Sequence, residues 1–346
     1  MGTHRQGVPP SLGVGSRATA HPSDITFGPV PSRRLGRSLG INNIPPGSCT
    51  YSCVYCQAGR TVRMRTRRES CHPSSVLART VRARAQATLD AGERIDVLTF
   101  VPDGEPTLDI ALGHAIRLLR PLGIPIAVFT NASLLTHLDV WSDLDEADVV
   151  SLKVDTVREA TWRRINRPHG SLRLADILEG MSTFARGFSG TLLTETMMVD
   201  GINDAEDEVR DTAAFVAGLG ARTSYLAVPT RPPAEPWVRP ASGTALTRAY
   251  HAFNARVPRV ELLLGYEGDA FTSTGDPIGD LLGVTTVHPM REAAVRRMLR
   301  SARVPWSAVT RLVRDRQLVT VRYGGHRYYV RPPAVPRGRP PTTGEG

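Results

Sequence analysis

Short apolar runs alternate with longer helical stretches through most of this 346-residue chain. The runs are Ile95–Val101, Ile124–Phe129, Asp148–Leu152, Leu192–Val199 and Ser224–Val228. They are apolar almost without interruption, not at every second position, so each reads as a strand covered on both faces. Between them, stretches such as Pro73–Asp90, Asp109–Leu119, Leu172–Phe184 and Glu206–Gly218 carry helical spacing. Strands that alternate with helices pair in parallel. A short strand read from the second half of Phe27–Asn42 brings the count to six. Six βα units are too few to close an eightfold barrel. The expected architecture is therefore α/β, a partial (β/α)6 TIM-type barrel open on one side.

Polar residues follow the ends of these strands. The first strand leads into Cys49-Thr50-Tyr51-Ser52-Cys53-Val54-Tyr55-Cys56. The next three lead into Asp103-Gly104-Glu105-Pro106-Thr107, Thr130-Asn131-Ala132-Ser133 and Lys153-Val154-Asp155-Thr156. A fifth signature is Asp200-Gly201-Ile202-Asn203-Asp204. In α/β barrels this face carries the active site. A scaffold protein has no reason to gather Cys, Glu, Asn, Lys and Asp there, so the chain reads as an enzyme.

Cys49, Cys53 and Cys56 stand at C-x3-C-x2-C spacing. Thiolates suit iron–sulfur clusters. A [4Fe–4S] cubane takes four ligands, so three cysteines leave one iron open to a substrate or cofactor. Two alternatives are a zinc site completed by Cys71 or His72 and a disulfide with a spare thiol. Four cysteines, three of them in one motif, argue against a secreted disulfide scaffold. An open cluster needs a reducing compartment, so a cytoplasmic location is expected. No run of eighteen or more apolar residues predicts a transmembrane helix. Residues 1–23 lack the apolar core of a secretory signal and read as a disordered leader.

Charge is unevenly spread. Thirteen Arg against Glu292 and Asp315 give residues 291–339 a local excess of +11, which leaves the rest of the +10 chain at −1. Within that segment two helices, Arg291–Arg303 and Pro305–Arg316, precede two strands joined at Gly324-Gly325. The expected division is 1–23 leader, 24–284 barrel, 285–331 a small basic winged-helix-like module, and 332–346 a proline- and glycine-rich disordered tail. The module is expected to take a nucleic acid or an acidic partner, or to pack on the barrel with its arginines solvated. The turn-rich Gly265–Gly283 is a candidate cover for the barrel mouth. Arg33, Arg34 and Arg37 either aim at an anionic group or form a solvated loop.

Lys153 is the one lysine among 43 Lys and Arg residues. A surviving lysine invites a chemical reason, because it is a compact charge able to lose its proton when buried. It either holds a carboxylate, forms a Schiff base with a carbonyl, or persists at a neutral position. Strand alternation puts Asp155 on its side, where pairing would keep the ammonium charged. Lys153 and Asp155 are the candidate catalytic pair.

Together these residues resemble the radical SAM superfamily over about Phe27–Gly283. Phe27-Gly28-Pro29-Val30-Pro31-Ser32-Arg33-Arg34, the cysteine loop and Thr230-Arg231-Pro232-Pro233 are similar to a group of Fe–S oxidoreductases related to wyosine-base synthases. The resemblance implies a [4Fe–4S] cluster on Cys49, Cys53 and Cys56 that binds S-adenosylmethionine (SAM). It implies reductive cleavage to a 5′-deoxyadenosyl radical that abstracts hydrogen from an unidentified substrate, and an electron donor such as flavodoxin or ferredoxin. The reaction class, whether oxidoreductase, transferase or lyase, stays open. Asp103-Gly104-Glu105-Pro106 resembles the family's GGEP motif with Asp for the first Gly, so Gly104, Glu105 and Pro106 are expected beside the SAM amino group. Tyr55 is similar to the aromatic residue beside the adenine, as Gly201 and Ile202 are to its flanking segment. Asn131 and Asp155 are candidates for the ribose and methionyl end, and Glu195 is expected to point into the barrel. Two other readings are a nucleic-acid-binding regulator with a sensor cluster and a tricyclic-guanosine synthase acting on tRNA. That second branch is expected to carry further N-terminal cysteines, and only Cys71 remains here.

Overall fold

A computed structural model describes residues 25–265 and 276–332. The expected leader, nearly all of the expected tail and the centre of the expected cover segment lie outside them. The chain opens with β1 (Thr26–Ser32) and β2 (Gly36–Ile41), then a short pair, β3 (Ser48–Cys49) and β4 (Arg63–Met64), around the cysteine loop. Next come α1 (Ser74–Asp90), β5 (Val97–Phe100), α2 (Leu112–Leu119), β6 (Ile126–Thr130), α3 (Leu138–Leu144) and β7 (Val149–Lys153). Then follow α4 (Glu159–Ile165), α5 (Leu174–Gly187), β8 (Thr191–Met197), α6 (Glu206–Gly218), β9 (Thr223–Ala227), α7 (Gly243–Asn254) and β10 (Val260–Leu263). The last part holds α8 (Pro277–Val287), β11 (Met290–Arg291), α9 (Glu292–Ser301), α10 (Ser307–Arg314), β12 (Val319–Tyr323) and β13 (His326–Val330).

The main sheet has eight strands in the order β1-β2-β5-β6-β7-β8-β9-β10. The six parallel strands expected from sequence are its centre. Two edges are added to them: β10 pairs parallel with β9, and β1 pairs antiparallel with β2. Thr26–Ser32 carries two prolines, which remove ladder donors and confine such a segment to an edge. The sheet is a curled half-barrel, consistent with a partial TIM-type barrel.

Strand alternation splits each strand between two environments. Leu98, Phe100, Val128, Val150 and Leu152 face the helices and join the main core. Burying each is worth about 1.5–3 kcal/mol. Thr99, Phe129, Ser151 and Glu195 face the other way and line a cavity of about 350 Å³. In a closed barrel bulky branched residues fill that space; here small hydroxyl residues, Thr99 and Ser151, at two of the central strands help leave it open.

A second apolar cluster joins the C-terminal part to the first strand. Phe27 and Val30 of β1 pack with Leu281, Val284, Met290, Val295 and Met298. The expected boundary at 284/285 falls inside α8, a continuous helix that covers β1. The tyrosines of the terminal hairpin reinforce the seam: the Tyr323 hydroxyl donates to the Pro229 carbonyl at 2.9 Å and that of Tyr328 to the Thr230 carbonyl at 3.0 Å.

Candidate active site

The cysteine loop is fastened from several sides. Ser52 N donates to Asn166 O at 3.0 Å, Val54 N to Ile165 O at 2.9 Å, and Glu235 N to Val54 O at 3.0 Å. Tyr51 packs edge-on against Trp162, with ring centroids 5.8 Å apart. The Asp103-Gly104-Glu105 turn holds the start of the loop, since Gly47 N donates to Asp103 O at 2.9 Å and Glu105 N to Ser48 O at 3.1 Å. Gly104 has φ +152°, and a Cβ there would lie 1.9 Å from the Ser48 carbonyl oxygen. Only glycine permits that approach.

All three motif cysteines line the cavity. Burial pushes their thiols up, Cys53 to about 11, Cys56 to about 12 and Cys49 well above the ordinary value. Neighbouring negative charge adds to this, from Cys53 on Cys49 and Cys56 and from Asp155 on Cys53. Three buried thiolates this close need a cationic centre among them, and a bound metal deprotonates a coordinating thiol outright. No three His, Cys, Asp or Glu side chains among the described residues converge as ligands of a single ion. A cubane binds its thiolates on separate irons, so it needs no such convergence. Nitrogen donors already address the sulfurs: Tyr51 N and Asn131 Nδ2 lie 3.5 and 3.6 Å from Cys49 Sγ, and Asn166 Nδ2 lies 3.4 Å from Cys53 Sγ. Hydrogen bonds of this kind tune cluster potentials. The donor set therefore fits a cluster.

The SAM side also fits. Asp103 lines the same cavity, no cation pairs with it among the described residues, and burial pushes its carboxyl up to about 7. A bound ammonium or sulfonium would supply the missing charge. Glu105 is 1% exposed. It receives Thr107 N at 3.1 Å, the Thr107 and Thr130 hydroxyls at 2.6 Å, and Asn131 N at 2.7 Å. Its carboxylate thus fixes the two neighbouring strand ends, and Oε2, with only Asn131 N on it, keeps acceptor capacity toward the cavity.

Lys153, Glu195 and Arg34 meet in the lumen. Lys153 Nζ lies 2.7 Å from Glu195 Oε1 and 3.8 Å from Asp155 Oδ1, and Arg34 makes a close ion pair with Glu195 Oε2. β7–β8 register places Lys153 opposite Glu195. Burial opposes the charge on Lys153, but Glu195 and then Asp155 outweigh it and raise its pKa. Burial likewise opposes ionisation of Glu195, yet Arg34 and Lys153 hold its pKa at about 2.

The expected site residues divide in two. Tyr55, Gly104, Glu105, Asn131, Lys153, Glu195 and the three cysteines all line the cavity. Pro106, Asp155, Gly201 and Ile202 do not. Pro106 starts a short turn capped by Glu105. Asp155 is turned away and receives the Tyr55 hydroxyl, Asn166 Nδ2 at 2.7 Å and Met197 N at 2.9 Å. The expected Lys153–Asp155 pair is present at 3.8 Å, and β8 adds Glu195 as a closer partner at 2.7 Å. Gly201 sits in an exposed turn, and Ile202 packs with Val54 and Tyr55. Gln57, Arg231 and His288 also line the cavity and were not assigned to the site from sequence. Arg231 donates to Gln57 Oε1 at 3.1 Å and lies 2.7 Å from His288 Nε2, while Gln57 Nε2 donates to Val287 O at 2.9 Å. Burial and then Arg231 push His288 well below the usual imidazole range. No local signal marks Gln57 or His288, which meet only through the α8 docking.

The family model of the radical SAM superfamily matches residues 43–216. The chain belongs to the radical SAM superfamily, whose enzymes use a [4Fe–4S] cluster and SAM. A UPF0026 protein of Methanocaldococcus jannaschii is 41% identical over 309 residues, covering 89% of this chain and 96% of that protein. A UPF0026 protein of Helicobacter pylori is 31% identical over 211 residues, covering 60% of this chain and 67% of that protein. Among solved structures, a radical SAM methyltransferase from Sphaerobacter thermophilus aligns with TM-score 0.50 at 14% identity over 66% of each chain, which shows the shared fold. Among the described residues no helix is long and apolar enough to cross a membrane.

Proposed function

We propose that this radical SAM enzyme holds its cluster on Cys49, Cys53 and Cys56, holds SAM between Asp103, Glu105, Asn131 and Tyr55, and abstracts hydrogen from a substrate seated in the lumen beyond them. The opening of all three thiols onto one cavity that also exposes Lys153 and Glu195 carries this reading. When bound, the cluster and SAM supply an electron and a sulfonium whose reductive cleavage gives a 5′-deoxyadenosyl radical. The protein supplies position and exclusion of water. Asn131 and Asn166 orient the thiolates, Glu105 ties the β5 and β6 ends together, and Asp155 sets Tyr55 against the lumen. Lys153 stays protonated beside Glu195, which favours holding an acid over forming a Schiff base. An electron donor such as flavodoxin or ferredoxin and a cytoplasmic, reducing location complete the reading. Anaerobic reconstitution followed by reduction with dithionite tests it: 5′-deoxyadenosine is expected from wild type and not from Cys53→Ala. Cluster-loaded wild type that leaves SAM intact sinks it.

A second reading concerns the C-terminal module, taken as winged-helix-like. Two helices and the β11-β13-β12 sheet, with Arg300, Arg303, Arg311, Arg314, Arg316 and Arg322 exposed, support a nucleic-acid or acidic partner. Binding to nucleic acid should weaken steeply with salt; absence of binding at low ionic strength removes the idea.

A further inference from the structure

The cavity carries charged groups from the cluster side to the turn before β2. Its cluster end holds Asp103 and Glu105, both buried carboxyl groups. The other end is reached by Arg34, from the turn that precedes β2, while the cysteine loop follows the far end of the same strand. Arg34 faces the lumen against Glu195, and Lys153, at the C-terminal end of β7 beside the Tyr55 ring, meets the same carboxylate from the cluster side. Asp155 also lies 3.8 Å from Lys153, but it is outside the cavity and its oxygens serve Tyr55, Asn166 and Met197.

We propose that Arg34 and Lys153 form the subsite for an anionic group of the substrate, a carboxylate or a phosphate, with Glu195 as the internal counter-ion that the substrate partly displaces. This rests on the radical SAM reading and adds to it the substrate's chemical class.

Three observations carry it. Arg34 Nε is buried and meets no acceptor among the described residues. A buried donor left unmade is costly, so an incoming oxygen has something to satisfy. The guanidinium lies 5.4 Å from the ring centre of Phe129 and 6.0 Å from that of Tyr225, and the Lys153 ammonium 4.9 Å from that of Tyr55. These aromatic contacts hold both cations in place without using up their hydrogen bonds. A planar guanidinium also presents two parallel donors to a carboxylate or phosphate, which gives orientation as well as charge. An anion held between the two cations lies on the cysteine-loop side at Lys153, whose ammonium is 4.9 Å from the Tyr55 ring centre, and reaches toward the turn before β2 at Arg34.

The test uses full-length, cluster-loaded protein held oxidised, at low ionic strength. Acetate and inorganic phosphate are the probes and acetamide the neutral control, with thermal shift and calorimetric titration as readouts. Wild type is expected to bind at least one of the two anions and not acetamide, and the preferred anion tells carboxylate from phosphate. Arg34→Gln should weaken binding by about tenfold or more, the value of a charge-assisted contact. Glu195→Gln should strengthen it by about tenfold, because the competing carboxylate is gone. A purely structural role for Glu195 predicts the opposite sign, so this variant decides the matter even where Arg34→Gln does not fold. Three results overturn the proposal: neither anion binds wild type, acetamide binds as well as they do, or Glu195→Gln weakens the anion. A loss of SAM affinity in Arg34→Gln equal to the loss of anion affinity overturns it too, since Arg34 would then hold the SAM carboxylate. None of these readouts depends on SAM cleavage, so the cleavage reaction and the anion subsite fail separately.

Discussion

Glu195→Gln has a stability cost that can be worked from the ion triplet around it. Arg34 and Lys153 hold the Glu195 carboxyl at about 2, against an ordinary 4.5. At about 1.4 kcal/mol per pKa unit, the folded state gains about 3 kcal/mol from ionising this group. The sign follows from the direction. A depressed carboxylate pKa stabilises the fold above the unfolded value of 4.5, and the contribution drains away as the pH falls toward about 2. Glutamine removes the charge at every pH and leaves Lys153 with Asp155 at 3.8 Å as its nearest acid. Urea unfolding under reducing conditions, at a series of pH values, gives the difference between wild type and variant. At neutral pH the variant should be less stable by about 3 kcal/mol, a large part of a typical domain's stability. The gap should hold down to about 4.5 and close below it. A gap under about 0.5 kcal/mol at neutral pH, the value of an exposed pair, or one that widens in acid, refutes the reasoning.

Other outcomes test the loop and its supports. Cys56→Ala should lose the cluster, measured as iron and acid-labile sulfide, while Cys71→Ala should keep about four irons per chain; Cys71 instead contacts Arg65 and the Glu69 carbonyl. Gly104→Ala drives a Cβ to 1.9 Å from Ser48 O at φ +152° and should cost about 3 kcal/mol or more in the urea midpoint, with iron retention falling alongside. Gln57→Leu removes the bonds to Arg231 and Val287. That should cost about 1–2 kcal/mol and hasten bleaching of the cluster absorbance in air; an unchanged bleaching rate would show that the α8 contact does not steady the loop.

The central strands, the cysteine loop and the polar strand ends were legible in the sequence because each depends on local pattern. An apolar run of five residues can only be a buried strand or helix segment, and thiols at fixed spacing announce their chemistry wherever they fold. Lys153, marked in the sequence by its identity among arginines, lines the cavity. Its pairing with Asp155 was legible because the two are near in sequence, whereas the closer partner Glu195 is near only across the β7–β8 register. Asp155 was expected in the site from its place at a strand end. Its side chain is turned out of the cavity by bonds from Tyr55, Asn166 and Met197, three residues on three different segments. The pairing of β1 as an antiparallel edge, and the docking of α8 that brings His288 to Arg231, depend on which surfaces remain to be covered once the barrel forms. Such coverage is a property of the whole packed chain. Local spacing carries the motif, but the choice of which charges meet belongs to the tertiary structure, because Coulomb energy depends on separation in space and on burial, neither of which a linear sequence contains.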